Sequence, residues 1–102
     1  MPTAIQHTVV FSLHHRAGSP EEDEFLAAAR SLATIPGVEG FQQYRQVSPK
    51  SSFTFFFSMH FADEAAYQGY NNHPIHIAFV RDRWEPEVSA FQELDFVPLD
   101  AI

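Results

Sequence analysis

The chain has 102 residues, 45% of them hydrophobic, with eleven Phe and no Cys. That length predicts one domain over residues 1–102, and the missing thiols exclude a disulfide framework or a thiolate metal site. Thirteen acidic against six basic residues give a net charge of −7, so nucleic acid and an anionic membrane surface both lack the basic cluster they require.

Residues Ile5 to His14 alternate, with Ile5, His7, Val9, Phe11 and Leu13 on one side, and this period of two predicts a first strand. No basic stretch precedes it and no apolar run approaches the roughly twenty residues of a membrane span, so the expected compartment is the cytoplasm. After a turn at Ala17-Gly18, Ser19-Pro20-Glu21-Glu22 reads as a helix start. Ser19 can cap, Pro20 suits the first helical position, and Glu22 would close a capping box. Phe25, Ala28 or Ala29, Leu32 and Ile35 follow at helical spacing until Pro36-Gly37 stops the run.

A second strand is predicted from Val38 to about Val47, with a bulge at Gly40. Ser48 to Ser52 form a polar turn. The third strand, Phe53 to Phe61, is the most aromatic segment and should lie centrally in its sheet. Asp63 caps a short helix to about Asn71, His73-Pro74 opens another along Ile77, Val80 and Trp84, and Pro86 limits or kinks it. A last strand runs from about Val88 to Val97. The order β-α-β-β-α-β, with the second helix split, predicts an α+β ferredoxin-like protomer whose antiparallel sheet carries helices on one face only. Eleven Phe look too many for that single core, since each ring buries about 150 Å² or more. The excess is expected to line an interface or a pocket.

The richest chemistry lies between Tyr67 and His76. His73 reads as an N-cap, Pro74 as the first helical residue and His76 as the third. An imidazole at a helix N-terminus feels positive backbone dipoles, which disfavour its protonated form and suit a general base. Tyr70 could donate its phenolic hydrogen to a carbonyl oxygen and stabilise enolate-like charge. The plainer alternative is that His73 only caps, His76 only packs, and Tyr70 is a core ring with a wet hydroxyl. No metal site is expected. His14 and His15 point to opposite sides of a strand, and no acidic residue sits at a metalloenzyme spacing. A glycine-rich phosphate loop and a serine-nucleophile motif are also missing.

Gln6-His7-Thr8-Val9-Val10-Phe11, Ser19-Pro20-Glu21-Glu22, Ile35-Pro36-Gly37-Val38, His73-Pro74-Ile75-His76 and Leu94-Asp95-Phe96 fall in this order along the chain. Together they resemble the stress-responsive A/B barrel (Dabb) domain over essentially the whole sequence, with His-Pro-x-His the most specific piece. The resemblance implies a homodimeric α+β barrel closed through the open sheet faces. It also implies a protein of unassigned role that holds a small apolar or carbonyl ligand in a barrel-side pocket without catalysis. The family includes a plant polyketide cyclase, which implies an alternative: a cofactor-independent and metal-free enzyme using Tyr70 and His76 for aldol or enolisation chemistry. On the same resemblance His7, His73, Asp95 and Phe57 are binding or supporting residues, and Phe57 adds bulk where that cyclase has a smaller side chain. Cofactor-free ferredoxin-like monooxygenases share the architecture, but His-Pro-x-His points away from them. Cavity size discriminates. A barrel packed solid by Phe11, Phe55 and Phe57 would rule catalysis out, whereas a cleft of several hundred Å³ reaching His76 would favour it.

Overall fold

The computed structural model describes residues 3–101. Four strands, β1 (Ile5–Leu13), β2 (Glu39–Arg45), β3 (Phe55–Phe61) and β4 (Val88–Phe96), form one antiparallel sheet in the order β2-β3-β1-β4. β3 is indeed central, beside β1, and the edges are β2 and β4. The register in β2 shifts between Glu39 and Gln42, where Gly40 takes a φ of 60°, so the expected bulge is present. Only Gly takes that left-handed conformation without steric cost.

Helix α1 (Pro20–Ala29) starts as its sequence dictates: the Ser19 hydroxyl accepts from the Glu22 amide at 3.2 Å. The capping box is altered, however. The Glu22 carboxylate accepts from the Gly18 amide and from Arg45, both at 3.2 Å, which keeps this buried acid fully partnered. Past Ala29 the chain tightens into a 3₁₀ turn (Arg30–Thr34) rather than running on as α-helix to Ile35. Helix α2 (Glu64–Asn71) is capped by Asp63 and α3 (Pro74–Phe79) by His73.

α3 then widens into a π-helical stretch, Val80–Trp84, before a last α turn, Glu85–Glu87. Pro86 explains the widening. It has no amide hydrogen to give the preceding turn, and its ring collides with the carbonyl four residues back. The Glu85 amide accordingly bonds the Val80 carbonyl, five residues back. Among the described residues no helix is long and apolar enough to cross a membrane.

All helices cover one sheet face. Phe11 is the hub of the core, with ring centroids 4.7 Å from Phe57, 4.9 Å from Trp84, 5.5 Å from Phe55 and 5.8 Å from Phe25. Phe11, Phe25, Phe55, Phe57, Phe61 and Phe79 are all buried within the single chain. The excess expected to line an interface or a pocket is thus smaller than the count suggested, and Phe57 and Phe79 do line a cavity. Helices crossing a twisted sheet bury the rings of both layers, so one protomer absorbs most of them. The opposite face is mixed. Thr8 and Ser58 are buried there, Thr8 donating to the Leu94 carbonyl at 2.6 Å, while Tyr44, Leu94 and Phe96 remain exposed.

Candidate functional site

The site follows from register. His7 stands opposite Met59 of β3 and Asp95 of β4, and Val9 stands opposite Phe57 and Glu93. Directly opposed residues share a face, so His7, Phe57, Glu93 and Asp95 all face the helices. From above, Tyr67 and Tyr70 come from one side of α2, a turn apart, and His76 comes from the first turn of α3.

Two imidazoles flank Tyr70. Its ring centroid lies 4.4 Å from that of His76 and 5.9 Å from that of His7. His76 Nδ1 lies 3.1 Å from the Asn71 carbonyl oxygen, which can only accept, so Nδ1 carries the hydrogen and Nε2 holds a lone pair. Burial lowers the His76 pKa below its ordinary value, and the neighbouring His7 lowers it further. The Asn71 bond and the Glu93 charge oppose this without reversing it. The neutral form expected from the sequence is thus favoured, with burial the largest of these causes. Tyr70 is 2% exposed, and burial, with the Glu93 charge, raises its pKa, so its hydroxyl stays a donor.

His7 is held differently. Its Nδ1 lies 2.6 Å from Asp95 Oδ1 and 3.0 Å from the Tyr67 hydroxyl, which itself donates to Asp95 Oδ2 at 2.8 Å. The carboxylate thus accepts from both partners and fixes the imidazole, leaving Nε2 as the ring nitrogen available to a ligand. Burial and then the bond to Asp95 raise the Tyr67 pKa.

A cavity of about 60 Å³ runs between the helices and the sheet, with His7, Tyr70, His76 and Glu93 among its polar lining groups and apolar walls that include Phe57, Met59 and Phe79. It lies on the helix side of the sheet, not on the barrel side that the family resemblance implied, because His7 and Phe57 belong to the helix-facing rows of their strands. It is also far smaller than several hundred Å³. Phe57 fills its floor, edge-on to Phe11 and to Phe41. Room therefore exists for a few heavy atoms and not for a polyketide chain.

Of the residues singled out by sequence, Tyr70, His76, His7 and Phe57 meet at this cavity, and Asp95 reaches it through His7. His73 stands apart. Its Nδ1 accepts from the Ile75 amide at 3.1 Å, as an N-cap does. Tyr67, Glu93 and Trp84 were missed, although Tyr67 lies one turn before Tyr70, and Glu93 shares the alternation of Asp95. Among the described residues no three potential metal ligands come together.

A family model described as Stress responsive A/B Barrel Domain matches residues 5–98. A Dabb family protein with a ferredoxin-like fold from Mesorhizobium loti is 57% identical, over 95% of this chain and 98% of that one, with a TM-score of 0.94. Hydroxynitrile lyase from Passiflora edulis superposes with a TM-score of 0.83 at 14% identity, over 100% of this chain and 99% of its own. A dimeric ferredoxin-like protein from Thermobifida fusca gives 0.77 at 18% identity, over 96% and 93%. At such identities the last two likenesses show the fold alone. A comparison with curated proteins finds no match.

Proposed function

Because this chain belongs to the stress-responsive A/B barrel (Dabb) family, we propose that its helix-side cavity holds a small carbonyl compound. The observation that carries this reading is the convergence of Tyr70, His76 and His7 on one small apolar-walled cavity. The Tyr70 hydroxyl donates to the ligand's carbonyl oxygen, and the alkyl part lies against Phe57 and Met59. A few polar groups fixing orientation inside an apolar lining is the usual form of a small-molecule site.

The test is direct binding of a short neutral ketone, followed through Trp84, which lines the cavity and is the chain's single Trp. Tyr70→Phe should weaken binding about tenfold, the loss of one buried hydrogen bond. Unchanged affinity in that variant would sink the proposal.

A second reading is cofactor-independent catalysis, and the fixed tautomer of His76 favours it. Its Nε2 lone pair takes a proton from the carbon next to the carbonyl. The C–H electron pair moves into the enolate, and the Tyr70 hydrogen bond stabilises the developing oxyanion. Return of that proton from Nε2 to carbon, or attack of the carbon on a second carbonyl with the proton passing from Nε2 to the new alkoxide oxygen, completes the reaction and returns the base. The Passiflora neighbour, named a hydroxynitrile lyase, shares the fold, and proton abstraction itself is the first assay. Exchange of the α-hydrogens of hydroxyacetone in deuterated water, read by NMR, should be accelerated and should fall at least about a hundredfold in His76→Ala. Full exchange in that variant would leave binding as the only role.

Pairing of two copies through the open sheet face is part of the same proposal. The chain exposes 6379 Å², against roughly 5,800 Å² expected for a folded monomer of this size. Exposed Tyr44, Leu94 and Phe96 lie on that face, and the Thermobifida relative is described as dimeric.

A further inference from the structure

Glu93 is the only carboxylate among the described residues that line the cavity, and neither the carbonyl-binding nor the catalytic reading uses it. It sits on β4 opposite Val9, two residues before Asp95 on the same face, and its side chain is exposed at the mouth. Asp95 is engaged with His7 and Tyr67, whereas Glu93 has no hydrogen bond or ion pair among the described residues. No Lys or Arg stands among the described lining residues. An anionic ligand would therefore lose its water to apolar walls, meet no counter-charge, and face a like charge at the entrance. The Glu93 charge reaches the interior, since it acts on both Tyr70 and His76.

We propose that Glu93 determines specificity: it accepts a hydrogen bond from a ligand hydroxyl and repels carboxylates, so the cavity takes an uncharged, hydroxyl-bearing carbonyl compound. The cavity holds about four to six water-sized atoms, which sets the reacting part of that ligand near the size of a three-carbon hydroxyketone. This inference rests on the carbonyl-binding reading and names its substrate class. It predicts that α-keto acids and acyl phosphates of similar size are rejected although their carbonyl groups are equivalent.

Three probes of nearly equal size separate the possibilities: hydroxyacetone, butanone and pyruvate, each titrated against Trp84 fluorescence of the whole protein. Hydroxyacetone should bind most tightly, butanone less, and pyruvate least. Glu93→Gln keeps an acceptor oxygen but removes the charge, so it should retain hydroxyacetone and strengthen pyruvate binding about fivefold, the modest size expected for an exposed charge. Glu93→Leu should abolish the preference for hydroxyacetone over butanone. If the wild type binds all three equally, or if Glu93→Gln leaves the pyruvate-to-hydroxyacetone ratio unaltered, the role of Glu93 is overturned while carbonyl binding stands. If none of the three perturbs Trp84, carbonyl binding itself fails and this inference with it.

Discussion

His76 gains its chemistry from which of its two nitrogens is occupied. The Asn71 carbonyl holds Nδ1–H, so neutrality of the ring is equivalent to a free lone pair on Nε2. Burial lowers the folded-state pKa below the unfolded value of about 6.5. Between those two values the unfolded chain binds more protons, so this residue makes stability fall as pH drops below about 6.5. Urea midpoints measured from about pH 7.5 down to about 5.5 should decline, and His76→Gln should flatten that part of the decline. A catalysed exchange, in turn, should rise with pH through a value below about 6.5. Asp95 offers a second expectation. Asp95→Asn replaces the charged acceptor of a buried imidazole, and with Asp95 itself 40% exposed the cost is about 1 kcal/mol, measurable by denaturant unfolding. Tyr70 and His76 were legible in the sequence because capping chemistry placed both beside the same helix start. Tyr67 was not, because its role depends on a carboxylate 28 residues away, which local spacing does not show.

At the scale of elements, the site depends on two short helices whose ends are set by single side chains. α2 carries both tyrosines, and Asp63 Oδ1 accepts from the Ala66 amide at 2.8 Å. Asp63→Ala should cost about 1 kcal/mol of stability and weaken ligand binding in proportion to fraying of α2. Calorimetry with and without hydroxyacetone would read both. A stability loss with unaltered affinity would show that the tyrosines are held by their ring contacts, such as the 5.1 Å stack of Phe61 on Tyr67, and not by the cap. The sequence carried the caps at Ser19, Asp63 and His73 plainly, since capping is local chemistry. It carried Pro86 only as a limit or kink. The π-helical widening that places Trp84 against Phe11 arises from how the chain accommodates Pro86 under a packed core, which no pattern of residues encodes alone.

For the whole molecule, the two sheet faces divide the labour. The helix face takes the buried Phe residues and the cavity, and the open face retains Tyr44, Leu94 and Phe96 in water. A standard interface buries about 800 Å² per partner. Leu94→Asp places a charge among the exposed apolar residues of that face, and light scattering should show the wild type as a dimer and this variant as a monomer. A wild-type monomer at micromolar concentration would refute pairing. The fold order and the central position of β3 were legible from alternation and from the helix start signals. Which face the aromatic residues served was not, because period two assigns residues to two faces without saying which one the helices cover.

The contact between His7 and Asp95 joins positions 88 apart in sequence, across β1 and β4. β1 lies between β3 and β4, so it must wait for the last strand before its second edge is closed and its histidine is oriented. The cavity is consequently incomplete until β1, β3 and β4, the strands that line it, have paired. Until β4 docks, β1 presents an unpaired edge flanked by apolar residues, which is the form most open to pairing with the wrong neighbour. On refolding, β4 amides and the β1 amides that pair with them should accordingly gain protection from hydrogen exchange together, and ligand that needs His7 should hasten nothing before that step.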